Sequence, residues 1–69
     1  MRARQEDVLK YIIKFKEVNG FSPTVREIAK GLNTKSIYHV QTMIEELQDM
    51  GYIKYQHGKQ RTIVVLKFE

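Results

Sequence analysis

Ser36, Tyr38, His39, Gln41 and Thr42 place five hydrogen-bonding side chains within seven residues. None of them carries a fixed charge, and their spacing puts them on the first two turns of a helix. That is the chemistry of a helix that reads the edges of bases. The Gln41 carboxamide can donate and accept at once on adenine, the Thr42 methyl can pack on the methyl of thymine, and His39 can donate to guanine or to a phosphate. A good bidentate contact of this kind is worth roughly 1–3 kcal/mol of discrimination. Arg26, Lys35 and Ser36 lie close by in the chain, with Lys59 and Arg61 further on. These are candidates for phosphate contacts, together with the free N–H groups that a helix beginning near Val25 would present. With about 4–6 phosphates neutralised, the log–log salt slope of binding would be on the order of −4 to −5.

Other chemistry finds little support. The chain has no cysteine, so neither disulfides nor thiolate metal sites are available. His39 and His57 stand eighteen residues apart without a carboxylate pattern, and no metal or cofactor is expected. Ser22 and Ser36 have no activating His/Asp arrangement, and no glycine-rich phosphate loop is present. Glu45 and Glu46 are adjacent and so point in different helical directions rather than facing each other. An enzyme is not expected.

The 69 residues suffice for one domain, read here as a single unit over 1–69, with 42% hydrophobic residues to fill one core. Net charge is +4, distributed as +2 over residues 1–20, −1 over 21–50 and +3 over 51–69. Basic ends around a near-neutral centre favour a polyanionic partner. No apolar run reaches the length of a membrane span, and no signal-peptide pattern opens the chain. The expected location is cytoplasmic.

The elements that must position the five side chains are legible. Val8, Ile12 and Phe15 recur at helical spacing, flanked by Leu9, Tyr11 and Val18, and predict a first helix from about Arg4 to Val18. Arg2, Arg4, Lys10 and Lys14 then form its solvated face, and Gly20 ends it. Thr24 and Glu27 form an S/T-x-x-E capping box opening a second helix, with Ile28, Ala29 and Leu32 facing inward. Asn33 tolerates the left-handed turn that follows. Ser36 caps a third helix reaching about Met50, with Val40, Ile44 and Leu47 on one face, Ile37 and Met43 at its borders, and Gly51 as its stop. Tyr52–Gln56 and Arg61–Leu66 have strand composition around a turn at His57–Gln60. The expected fold is mainly α with a small β-hairpin, a winged helix-turn-helix of three helices and a two-stranded wing. Glu45, Glu46 and Asp49 make the C-terminal half of the third helix acidic, which predicts that its N-terminal half approaches DNA.

Arg4-Gln5, Val8-Leu9 and Ile12, followed by the run Gly20-Phe21-Ser22-Pro23-Thr24-Val25-Arg26-Glu27-Ile28-Ala29, resemble the N-terminal DNA-binding domain of LexA-type SOS repressors. The likeness continues through Leu32, Lys35-Ser36, Ile44, Leu47 and Gly51-Tyr52-Ile53-Lys54 into the hairpin. The resemblance implies a winged helix whose third helix enters the major groove, with Ser36, Tyr38, His39, Gln41 and Thr42 facing DNA. Tyr38 and His39 are bulkier than the residues usual in the family, so its operator is not carried over. The family also carries a C-terminal domain that dimerises and cleaves itself with a Ser/Lys pair. A free-standing small regulator and an excised domain both fit this sequence, and the untagged ends favour the first.

The expected function is sequence-specific binding of double-stranded DNA as, or as part of, a transcriptional repressor. The alternative is a winged-helix docking module for a repressor or polymerase. No heptad or spare helix points to self-association, so the chain is expected to be a monomer in solution that can pair on DNA.

Overall fold

A computed structural model describes residues 3–56 and 58–67 of the chain. Three helices, α1 (Ala3–Asn19), α2 (Val25–Gly31) and α3 (Ile37–Asp49), are followed by a hairpin of β1 (Ile53–Lys54) and β2 (Val64–Val65). The strands pair antiparallel, Ile53 with Val65 and Lys54 with Val64. This is the winged helix-turn-helix expected from the sequence. Arg2, His57 and the side chain of Arg4 lie outside the described residues.

The helix boundaries follow from local chemistry. The α2 capping box is formed: the Glu27 N–H donates to Thr24 Oγ1 at 3.1 Å, and the Thr24 N–H donates to Glu27 Oε1 at 2.9 Å. Ser36 Oγ accepts from the His39 N–H at 3.1 Å and so opens α3. Both helices end in the same way. At the end of α2, the Thr34 N–H donates to the Ala29 carbonyl (3.0 Å) and the Asn33 N–H to that of Lys30 (3.1 Å). At the end of α3, the Tyr52 N–H donates to Leu47 (3.0 Å) and the Gly51 N–H to Gln48 (3.0 Å). These paired bonds are the Schellman pattern, which needs one left-handed residue. Asn33 (φ 58°) and Gly51 (φ 85°) supply it.

The core draws on every element: Val8, Leu9 and Ile12 from α1, Ile28 and Ala29 from α2, Val40, Met43, Ile44 and Leu47 from α3, and Ile53 and Ile63 from the hairpin. Ala29 lets α2 sit close against its neighbours, with Leu32 and Ile37 packed on the margin. A buried Gln5 donates from Nε2 to Glu46 Oε1, joining the start of α1 to α3.

Two sequence expectations need correction. Val18 does not flank the core: it is 70% exposed, because the last turn of α1 runs beyond the elements that cover its start. Phe15 is half-buried and stacks between Tyr11 and Phe21 at the edge of the core. The strands are also shorter than their composition suggested. The Tyr55 N–H donates to Gln48 Oε1 (2.8 Å) and the Gln56 N–H to Thr62 Oγ1 (2.9 Å), so side chains take the donors that a longer ladder would use. Arg61, at φ 57°, leaves the strand conformation altogether.

Ile44 is fully buried at the centre of this arrangement. Ile44→Ala is expected to cost about 2–5 kcal/mol, a large part of the roughly 3–10 kcal/mol available to a domain of this size. Urea denaturation followed by circular dichroism checks this, and a loss below about 1 kcal/mol would contradict the packing.

Candidate nucleic-acid interface

Successive residues of an α-helix turn by about 100°, so α3 divides into three faces. Val40, Ile44 and Leu47 face the core. Tyr38, Gln41, Thr42, Glu45 and Asp49 share the opposite, outward direction. His39, Met43 and Glu46 form a flank turned toward α1. Tyr38 is 82% exposed, more than any other large hydrophobic side chain among the described residues. The Thr42 hydroxyl donates to the Tyr38 carbonyl at 3.0 Å, which leaves the methyl as the group available for contact.

The structure therefore separates the five expected base readers. Tyr38, Gln41 and Thr42 are neighbours on one surface. Ser36 is exposed at the N-cap, its hydroxyl occupied by the His39 N–H. His39 is half-buried on the flank, bordering a small cavity of about 360 Å³ beside Asp7, Asn33 and Met43. The acidic half of the helix is divided too. Glu46 bonds to Gln5, whereas Glu45 lies on the outward face beside Gln41.

A cleft of about 580 Å³ opens between the start of α2, α3 and the hairpin, with Arg26, Gln41, Tyr55 and Lys59 among its walls. Arg26, Lys35 and Lys59 are exposed. Arg61, expected beside Lys59 as a phosphate contact, points inward instead. Its Nη1 and Nη2 donate to Glu27 Oε1 and Oε2 at 3.0 and 3.1 Å, and Nη1 also donates to the Ser22 carbonyl at 3.1 Å. The guanidinium lies over the Phe21 ring, 4.6 Å from its centroid. Its charge is thus matched by Glu27, and it ties the hairpin to the capping box.

Sequence reasoning missed this second role of Glu27, and it missed Tyr55 and Gln48. A partial signal existed for Tyr55: strand alternation places it on the same side as buried Ile53, facing α3. Among the described residues, no cluster of His, Cys, Asp or Glu is placed to hold a metal ion. No helix among them is long and apolar enough to cross a membrane.

The family model for the LexA DNA-binding domain matches residues 1–62. The chain belongs to the LexA DNA-binding domain family. It is 33% identical over 64 residues to the LexA repressor of Myxococcus xanthus, covering 93% of this chain and 29% of that protein. The LexA repressor of Desulforamulus reducens is 33% identical over 69 residues, covering 100% of this chain and 32% of its own length. That of Desulfatibacillum aliphaticivorans is 38% identical over 64 residues, covering 93% and 32%. The chain thus spans about a third of the length of the curated relatives it matches. In this LexA-type domain, the positions that open the third helix carry Tyr38 and His39 as large side chains of different orientation.

The Arg61 hydrogen bonds first, and then the Thr24 backbone N–H, hold the Glu27 carboxyl below its ordinary value of 4.5. A carboxylate depressed by folding stabilises the fold above its unfolded pKa, and the contribution fades as pH falls through the lower folded value. Glu27→Gln is therefore expected to destabilise the domain at pH 7 and to differ less from the parent at an acid pH below the ordinary carboxylate value of 4.5. Denaturant titrations of both proteins at the two pH values check this. An equal gap at both would contradict the ion pair.

Proposed function

We propose that this chain binds double-stranded DNA sequence-specifically, as the DNA-binding unit of a transcriptional repressor. The N-terminal half of α3 lies in the major groove. The observation that carries the reading is the outward face of Tyr38, Gln41 and Thr42, which opens beside a cleft edged by the exposed cations Arg26 and Lys59. Family membership supports DNA as the ligand, and the relatives' name supports repression as the outcome.

In this arrangement Gln41 pairs with adenine and the Thr42 methyl packs against thymine. Tyr38, 82% exposed on that face, meets the groove wall or floor. Ser36 and His39 complete the contact at its margins. Arg26, Lys35 and Lys59 hold phosphates, aided by the first N–H groups of α2. Arg61 shapes the wing rather than meeting a phosphate directly. With about 3–5 phosphates engaged, the log–log salt slope becomes about −3 to −4.5, shallower than an estimate that counts Arg61. One recognition helix covers only a few base pairs, so a monomer that pairs over two half-sites on DNA supplies useful selectivity.

Selection from a random duplex library, followed by binding measurements on the recovered site, tests the proposal. Gln41→Ala with Thr42→Ala is expected to erase the preference for that site over scrambled DNA while leaving the circular dichroism spectrum intact. Lys59→Ala is expected to weaken binding to all sequences alike and to reduce the salt slope by about 1. Recovery of no sequence preference by the parent chain, or an unchanged preference in the double variant, would overturn the assignment.

A further inference from the structure

Gln41, Glu45 and Gln48 follow one another along α3 at spacings of about one helical turn, on the edge that meets the residues just after β1. Gln48 Oε1 accepts the Tyr55 N–H at 2.8 Å, which fixes the Tyr55 backbone against the helix. The half-buried side chain of Tyr55 then lies in the cleft wall beside Gln41. Its hydroxyl is hydrogen-bonded to both the Gln41 carboxamide and the Glu45 carboxylate.

The direction of these bonds follows from what each group can do. An ionised carboxylate only accepts, so the Tyr55 O–H donates to Glu45. The hydroxyl oxygen then has only lone pairs to offer Gln41, so the Gln41 Nε2 must donate to it. Burial first, and then the Glu45 charge, push the Tyr55 phenol above its ordinary value of 10.0, so it keeps its proton at neutral pH. A carboxamide without such a partner can rotate by half a turn and exchange its donor and acceptor. Here only one of the two orientations satisfies the relay.

We propose that Tyr55 and Glu45 are positioning residues for base readout, holding the Gln41 carboxamide in the single orientation that presents Oε1 and the second Nε2 hydrogen to the groove. This rests on the reading of Gln41 as a base contact. Adenine needs a donor for N7 and an acceptor for its N6 amino group at the same time, and the edge of the held amide opposite Tyr55 offers that pair. That edge is complete when the hydrogen given to Tyr55 is the one directed away from Oε1. Fixing the amide before binding removes an ordering cost from recognition. It also makes Glu45 part of the reading apparatus, although its charge alone would repel DNA.

The test uses the whole chain and two variants. Tyr55→Phe removes the hydroxyl. Glu45→Gln keeps the shape but lets the side chain donate, so the relay loses its direction. In the free protein, the side-chain amide resonances of Gln41 are expected to move toward those of an unconstrained glutamine in both variants. On the selected site, preference for adenine at the Gln41 position is expected to fall on the order of tenfold, while affinity for scrambled duplex in Tyr55→Phe stays within about twofold. Glu45→Gln lies on an exposed position, so it keeps the test open if Tyr55→Phe does not fold. Unchanged Gln41 resonances would overturn the positioning contact. Shifted resonances with unchanged adenine preference would overturn its role in readout. Shifted resonances in a parent chain that selects no site would instead sink the DNA reading and this role with it, while leaving the contact in place.

Discussion

The carboxylate of Glu27 joins the two halves of this fold. Oε1 accepts the Thr24 N–H and so starts α2, while both oxygens receive the Arg61 guanidinium from the hairpin. Arg61 also reaches the Ser22 carbonyl and covers Phe21, which in turn meets Phe15 of α1 edge-on. One ion pair thus connects the cap of the second helix, the chain before it, the end of the first helix and the wing. The strands themselves pair over only two residues each, too few for an independently stable hairpin. Burial of Ile53 and Ile63 and the hold on Arg61 compensate for the short ladder. Without them the cleft beside α3 would have no second wall.

That wall matters because α3 does not present a uniform surface. Its core face is fixed by Val40, Ile44 and Leu47, and the flank is engaged by Gln5 through Glu46. The outward face is what remains for a ligand, and within it the polar groups are partly committed. The Thr42 hydroxyl is satisfied by its own helix, and the Gln41 amide is satisfied on one side by Tyr55. What a DNA groove would meet is therefore a methyl, an oriented amide edge and the exposed Tyr38 ring. Specificity in this account comes from how few choices the side chains retain.

Much of the fold was legible because it depends on local chemistry. The S/T-x-x-E box at Thr24, the cap at Ser36 and the left-handed residues Asn33 and Gly51 each act within a few residues of themselves. The apolar periodicity of α3 was likewise sufficient to find its buried face. Val18 was misplaced because periodicity says which side of a helix is apolar, not how far its neighbours extend. The strand lengths were overestimated because β-propensity cannot reveal that Gln48 and Thr62 take the backbone donors. Arg61 looked like a free cation because its partner Glu27 is 34 positions away in the chain. The same limit hid Tyr55, whose partners lie across the cleft, and the turn of His39 toward α1.

On the proposed reading, the outward face of α3 and the adjoining cleft receive DNA. Titrating the isotopically labelled chain with its selected duplex, and following backbone and side-chain amide resonances, tests it most directly. The largest perturbations are expected at Tyr38, Gln41 and Thr42, smaller ones at Arg26, Lys35 and Lys59, and none along Lys10, Lys14 and Val18 of α1. Perturbations centred on α1 and Phe21, with α3 silent, would contradict it.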